Sequence, residues 1–145
     1  LEAGVLLTSA EELGLAGARA WAAAQRAERA AGVPPSTPAI NVDGVDDVGV
    51  LRLVYTREKP GRLLAALHGA ARRVGTEARS APLLPGVLLD GVALADAGWE
   101  VITVSKGTLR TVARVHTPRD SAAHLSGRGI AEAAQVIASA IPELD

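Results

Sequence analysis

Apolar and polar residues follow two different periods along the chain. Short runs of apolar and β-branched residues, bounded by polar or turn-forming residues, predict buried strands. Longer segments repeat apolar residues at intervals of three and four, which is the spacing of an amphipathic helix. The strands predicted in this way are 4–9, 39–43, 50–55 and 100–105, and the helices are 13–31, 62–74 and 130–141.

Each predicted helix has an apolar side. On the first helix this side comprises Leu13, Ala16, Ala20, Ala23, Ala24 and Ala27, and on the last helix it comprises Ile130, Ala133, Ala134, Ile137, Ala138 and Ile141. The segments 32–38 and 107–119 are predicted to be loops. Strands that alternate with helices of this length favour an α/β fold, here a three-layer sandwich with a mixed, largely parallel sheet and helices on both of its faces.

The composition narrows the kinds of site and partner. The length of 145 residues fits one domain. A formal net charge of -1, without a basic block, argues against nucleic acid as a partner. The absence of cysteine excludes a disulfide scaffold, a Cys-ligated zinc site and a thiol nucleophile. Membrane attachment is not visible in this segment, because no apolar run approaches the roughly 18 residues that a membrane span needs.

Acidic residues recur at the ends of the predicted strands and apolar runs. Glu11 and Glu12 follow the first strand, Asp43 closes the second, Asp90 follows an apolar run at 87–89, and His116 lies in the loop beyond the strand that ends at Ser105. Ligands of open α/β sheets bind outside the carboxyl ends of the strands. Because zinc accepts both carboxylate oxygen and imidazole nitrogen, residues of these types at one edge predict a divalent metal site.

Each of these residues also has a structural interpretation. Ser9 and Glu12 have the spacing of a capping box, which would start a helix without any metal. Asp43 and Asp90 could each cap a turn. His116 alone is compatible with an ordinary loop histidine. The other two histidines, His68 and His124, are assigned to structural roles.

Three segments, in this order, resemble the M28 family of zinc aminopeptidases. Residues 5–18 are similar to the family's glutamate-pair motif, residues 39–43 to its Asn-x-Asp strand end, and residues 115–121 to its late histidine motif. The resemblance covers nearly the whole chain and implies one M28-like peptidase domain over residues 1–145. The sequence lacks methionine, so Leu1 is not a translation start, and we expect the N-terminal part of that domain to be missing.

The resemblance also implies a reaction and a role for each matching residue. Glu11 would be the general base, while Glu12, Asp43 and His116 would be zinc ligands. Asp120 would support the histidine loop, and Asp90 falls near a family position outside the ligand set. The implied activity is that of a zinc-dependent aminopeptidase, which hydrolyses N-terminal peptide bonds of a peptide substrate through a metal-bound hydroxide, with two zinc ions in the complete domain.

One departure from the family leaves an alternative function open. The family's five-ligand site also uses an early histidine and a bridging aspartate, and neither residue type occurs among the ten residues before Glu11. The alternative is a catalytically inactive, peptidase-like domain for binding or assembly. A glutaminyl-cyclase-like enzyme with one zinc is a third hypothesis. Family members are often exported or membrane-attached, so the resemblance points outside the cytoplasm, although no residue here decides the location or the oligomeric state.

Overall fold

Four short strands form one mixed sheet. In this computed structural model, which describes residues 3–28, 37–46, 49–115 and 117–144, the strands have the spatial order β1-β4-β2-β3. β1 is parallel to β4 and β2 is parallel to β3, while β2 and β4 are antiparallel. The strands are β1 (Ala39–Val42), β2 (Leu51–Tyr55), β3 (Ala78–Pro82) and β4 (Val101–Ser105).

Helices cover both faces of this sheet, which confirms the predicted α/β class. The helices are α1 (Ala16–Glu28), α2 (Gly61–Arg73), α3 (Asp90–Asp96), α4 (Leu109–Arg114) and α5 (Arg128–Ala140). α2 and α5 pack against each other on one face, and α1 and α3 pack together on the other. Within the described ranges, no helix has the length and apolar character needed to cross a membrane.

The α2 and α5 face contains most of the buried aliphatic side chains. Alternate residues of β2 and β4 point to this face, because successive side chains of a strand lie on opposite sides of a sheet. Small residues on the helices let them approach closely. The cluster includes Leu51, Leu53, Ile102 and Val104 from the strands, Leu63, Leu64, Leu67 and Ala70 from α2, and Ala133, Val136 and Ala140 from α5.

Smaller side chains pack on the α1 and α3 face. Ala22 of α1 and Leu94 of α3 meet Val101 of β4, and Trp21 lies beside Trp99 with their ring centroids 5.2 Å apart. The two tryptophans account for most of the aromatic side chains in a chain that has no Phe and one Tyr. This layer is therefore filled chiefly by alanine and leucine, as expected from the composition.

Three predicted strands are confirmed, whereas the first one is wrong. Residues 3–10 form no strand, and the side chains of Val5 and Leu7 are 89% and 91% exposed. A strand needs a neighbour for its backbone hydrogen bonds, and no other described segment pairs with this one. In its place, the sheet gains β3, where the sequence favoured a loop because Ala78–Pro82 lacks β-branched residues. Pro82 is tolerated there since β3 is an edge strand.

The apolar sides of the first and last helices are also corrected. α1 begins at Ala16 rather than Leu13, and the residues that it buries are Ala18 and Ala22, not the predicted alanines. On α5 the prediction is confirmed for Ala133, which is buried, and for Ile137, which packs against the core. Ile130 is instead 51% exposed, and the other buried residues are Gly129, Val136 and Ala140. Alanine is so frequent in both helices that several faces satisfy the same period.

The predicted loop 107–119 contains a short helix, α4. Thr108 precedes the helix, and Thr108 and Thr111 form a reciprocal capping box in which each side chain bonds the backbone N–H of the other residue. This motif uses Thr in place of the usual Glu or Gln at the third helical position. The missing acidic residue explains why the sequence favoured a loop.

The loop after β1 packs closely on the start of α5. The Asp46 carboxylate accepts hydrogen bonds from the backbone N–H groups of Ser126, Gly127 and Gly129, at 2.5, 2.6 and 2.8 Å. A Cβ atom on Gly129 would lie 2.0 Å from the carbonyl oxygen of Val45. The close approach therefore requires glycine at position 129 and holds the loop against α5.

Replacing Gly129 by alanine tests this contact. We expect Gly129→Ala to lower the free energy of unfolding by roughly 1–3 kcal/mol, because the loop must move to admit the methyl group. Gly61 starts α2 with nothing within 4 Å of an added Cβ, so Gly61→Ala is the matched control and is expected to be neutral or stabilising by about 0.4–1 kcal/mol. Urea unfolding of both variants gives the comparison, and equal stabilities would contradict the described packing.

Candidate functional site

Asp43 lies at the carboxyl end of β1, beside the end of β4. Its backbone N–H donates to the carbonyl oxygen of Val104 at 3.1 Å, and the N–H of Lys106 donates to the carbonyl oxygen of Gly44 at 3.1 Å. These two bonds continue the parallel ladder beyond the strands. The backbone of Asp43 is therefore fixed at the sheet edge, as the sequence predicted, and its side chain is half-buried.

The glutamate pair occupies a strained turn. Glu11–Leu13 is a single 3-10 turn, and the non-glycine residues Ala10 and Leu15 on its two sides have φ angles of 57° and 63°. Left-handed backbone costs roughly 1–2 kcal/mol per L-residue. Leu15 is fully buried, and the N–H of Gly17 donates to the carbonyl oxygen of Ser9 at 3.1 Å. Packing and hydrogen bonds thus hold a conformation that the turn would not adopt alone.

The capping-box interpretation of the glutamate pair is wrong. Ala10, not Ser9, precedes the turn, its side chain makes no capping bond, and α1 starts only at Ala16. Ser9 uses its backbone oxygen for the contact with Gly17. A helix start therefore does not account for two adjacent glutamates at this position.

Asp90 is the first residue of α3 rather than the end of a strand. The Thr8 hydroxyl donates to Oδ2 of Asp90, which joins the segment 3–10 to the start of the helix. The other oxygen, Oδ1, is buried and has no hydrogen-bond partner among the residues that the structure describes. An unsatisfied buried carboxylate oxygen is unusual and is available to a donor or a cation. No local sequence pattern predicts the contact with Thr8, which lies 82 residues before Asp90.

Three carboxylates from distant parts of the chain interact electrostatically. The pKa of Asp43 is raised above its ordinary value, first by burial, then by the negative charge of Asp90, and then by that of Glu12. Burial and like charge both disfavour the ionised form of a carboxyl group. The fold therefore places Asp90 and Glu12 within electrostatic range of Asp43, and Glu11, which precedes Glu12 in the same turn, is half-buried.

These carboxylates fit a divalent cation in charge and in donor type. Carboxylate oxygens are accepted zinc ligands, and a cation would relieve both the mutual repulsion and the unsatisfied Oδ1 of Asp90. In number the fit is incomplete, since the described ranges contain no group of three or more His, Cys, Asp or Glu side chains arranged to hold a metal. His116, the third predicted ligand, lies outside the described residues.

The remaining polar residues of the sequence analysis are Asp120, His68 and His124. Asp120 has Oδ1 3.8 Å from Nε of Arg114, and its N–H donates to the carbonyl oxygen of Thr117 at 2.9 Å. His68 is half-buried in α2, and His124 is exposed in a 3-10 turn before α5. The histidine assignments stay predictions.

The comparison with protein families agrees with the ordered motifs and the fold. The model of "Peptidase family M28" matches residues 4–141. The chain belongs to peptidase family M28. Among curated proteins, the comparison found no match.

Solved aminopeptidases share the fold of this M28 chain. An aminopeptidase from Aneurinibacillus sp. strain AM-1 superposes with a TM-score of 0.71 at 20% identity, covering 94% of this chain and 32% of the relative. BSAP, a zinc aminopeptidase from Bacillus subtilis, gives a TM-score of 0.71 at 22% identity, with 94% and 34% coverage. At this identity the likeness supports the fold alone. The M28 chain spans about a third of the length of these relatives.

Neutralising Asp43 is expected to stabilise the metal-free M28 chain. Its raised pKa means that ionised Asp43 opposes folding above that pKa, and that the penalty disappears as the pH falls and the carboxyl group protonates. Asp43→Asn should raise the free energy of unfolding at pH 7 by about 0.5–2 kcal/mol, and the gain should shrink on acidification. Urea unfolding in chelator at several pH values measures both effects.

Glu58→Gln is the control for loss of one negative charge. Glu58 is exposed, so its neutralisation should change stability by less than about 0.5 kcal/mol. A destabilised Asp43→Asn at pH 7 would show that repulsion of Asp43 by Asp90 and Glu12 does not limit stability.

Proposed function

We propose that the protein acts as a zinc-dependent aminopeptidase, with peptides as substrates. The observation that carries this proposal is the proximity of Glu12 and Asp43, which lie far apart in sequence but close enough for Glu12 to raise the pKa of Asp43. Both residues are predicted ligands from the ordered M28 motifs. Membership of peptidase family M28, and the shared fold of a zinc aminopeptidase from Bacillus subtilis, support the same assignment.

Glu12, Asp43 and His116 would hold the metal. When bound, zinc lowers the pKa of a coordinated water to about 7 and polarises the scissile carbonyl group. The protein's contribution is a fixed set of ligands. Asp43 is held by its backbone bond to β4. Glu12 is held in the strained turn, which has left-handed Ala10 before it and left-handed Leu15 after it.

Glu11 would serve as the general base. Successive side chains of a 3-10 turn leave its axis about 120° apart, because the turn has three residues. Adjacent glutamates can therefore serve different purposes, with Glu12 at the metal and Glu11 toward the attacking water. Glu11 would accept the proton of that water and return it to the leaving amine, which leaves the carboxylate ready for the next cycle.

The alternative is a catalytically inactive, peptidase-like domain that binds or assembles. The observation in its favour is that the described part of the chain lacks a group of three metal-binding side chains. This alternative requires that the full-length protein contain no stoichiometric zinc. Elemental analysis of the purified full-length protein separates the two functions without an activity assay.

Replacing Glu11 by glutamine should abolish most activity without removing the metal. We expect kcat for release of an aminoacyl anilide by the full-length protein to fall roughly 10²–10⁴-fold, because glutamine cannot accept the water proton. Zinc content should stay unchanged, since Glu11 is not a proposed ligand. Chelation should abolish the remaining activity.

The exposed Glu58→Gln variant is again the matched control and should retain activity. Hydrolysis that neither Glu11→Gln nor a chelator changes would contradict the proposed mechanism. Loss of zinc together with activity in Glu11→Gln would instead assign Glu11 to the ligand set.

A further inference from the structure

The loop that carries Asp43 is fixed at both of its ends. At the first end, Asp43 and Gly44 bond to the backbone of β4 and of Lys106. At the second end, three residues later, Asp46 binds the start of α5 through its side chain. A loop of four residues held at both ends has little freedom to change the position of Asp43.

Asp46 supplies the N-terminal cap that α5 lacks in its own sequence. Gly127 precedes the helix with φ 77° and has no side chain to accept the free N–H groups of the first turn. The Asp46 carboxylate accepts three backbone bonds there instead, and Ser126 Oγ lies 3.4 Å from its Oδ1. These bonds, led by that of Gly127, hold the pKa of Asp46 below its ordinary value, so the carboxylate is charged at neutral pH.

A second contact joins the same three elements. Lys106 donates its backbone N–H to Gly44, while its nearly buried ammonium group pairs with the carboxylate of Glu132 on α5. The end of β4, the loop 43–46 and the first turns of α5 are therefore tied together by side chains and backbone. A shift of α5 would have to move the loop as well.

The segment between His116 and α5 ends at residues that donate hydrogen bonds to the Asp46 carboxylate. From 117 onward this segment folds through local bonds, including those from the N–H of Asp120 to Thr117 and from the N–H of Leu125 to Ala122. It reaches α5 at Ser126 and Gly127, whose N–H groups Asp46 binds. The Asp46 side chain thus connects the loop of one predicted ligand, Asp43, with the segment that follows another predicted ligand, His116.

We infer that Asp46 is a positioning residue for the metal site, which ties the loop 43–46 to the segment 117–127 and so fixes where Asp43 presents its carboxylate. The inference rests on the proposed function, because it assigns Asp43 as a ligand. Asp46 itself touches neither metal nor substrate in this role. Side chains that orient metal ligands typically change metal affinity 10–100-fold when they are replaced.

The test compares Asp46→Asn and Asp46→Glu with Val136→Ala in the full-length protein. Val136 is fully buried in the core cluster of α5 and makes none of the hydrogen bonds to Asp46, so its truncation destabilises the helix packing while leaving those bonds in place. Asp46→Glu keeps the charge at the helix start but adds a methylene group, which protects against unfolding while displacing the loop. Two measurements are made: zinc affinity by competition with a chelator, and amide hydrogen exchange of 43–46 and 117–127 in the metal-free protein.

We expect both Asp46 variants to bind zinc 10–100-fold more weakly and to exchange faster in both segments. Val136→Ala should lower thermal stability yet keep zinc affinity within about twofold of the unmodified protein. Wild-type affinity in a folded Asp46 variant, or unchanged exchange in the two segments, would overturn the inference while leaving the proposed function intact. Failure of the unmodified protein to bind zinc would overturn the proposed function, and with it the role of Asp46 toward a metal.

Discussion

The central position of β4 is the constraint on which the other elements depend. This strand pairs with β1 on one edge and with β2 on the other, in opposite orientations. Its side chains are buried on both faces, so it needs a helix layer on each side. Thr103, the polar residue in this strand that is buried, accepts a hydrogen bond from Nδ2 of Asn41 at 3.2 Å. β4 therefore fixes both the helix layers and the register of the strand that ends at Asp43.

The candidate site lies at the carboxyl end of β1, beside β4, and it contains several unfavourable interactions. The negative charges of Asp90 and Glu12 both oppose ionisation of Asp43, and left-handed Ala10 and Leu15 lie on the two sides of the glutamate turn. Proteins retain such costs at functional sites when the surrounding structure supplies the stability. Here the support comes from the β4 ladder and from α5. A cation bound at this site would add stability, because its positive charge would offset the negative charges around Asp43.

Sequence patterns predicted the strands with β-branched residues and the helix that carries several leucines. The strand at 39–42 and the helix at 61–73 were confirmed because the spacing of apolar residues in each segment fits only one type of element. The alanine-rich helix α1 was located correctly but its buried side was predicted wrongly, and the buried side of α5 was predicted only in part, since alanine fits a buried or an exposed position almost equally well. The contacts of Thr8 and Asp46 were not predictable: each residue contacts another more than 75 positions away, and no local pattern records such a pair.

The exposed segment 3–10 has a consequence for handling the protein. Val5 and Leu7 are almost fully exposed, and no strand in the described ranges pairs with the backbone around them. β1, four residues long and without a charged side chain, is also an outer strand of its sheet. Unpaired backbone groups beside apolar side chains are a template on which other chains can add strands. High protein concentration is therefore expected to favour association of copies through β1 and the segment 3–10.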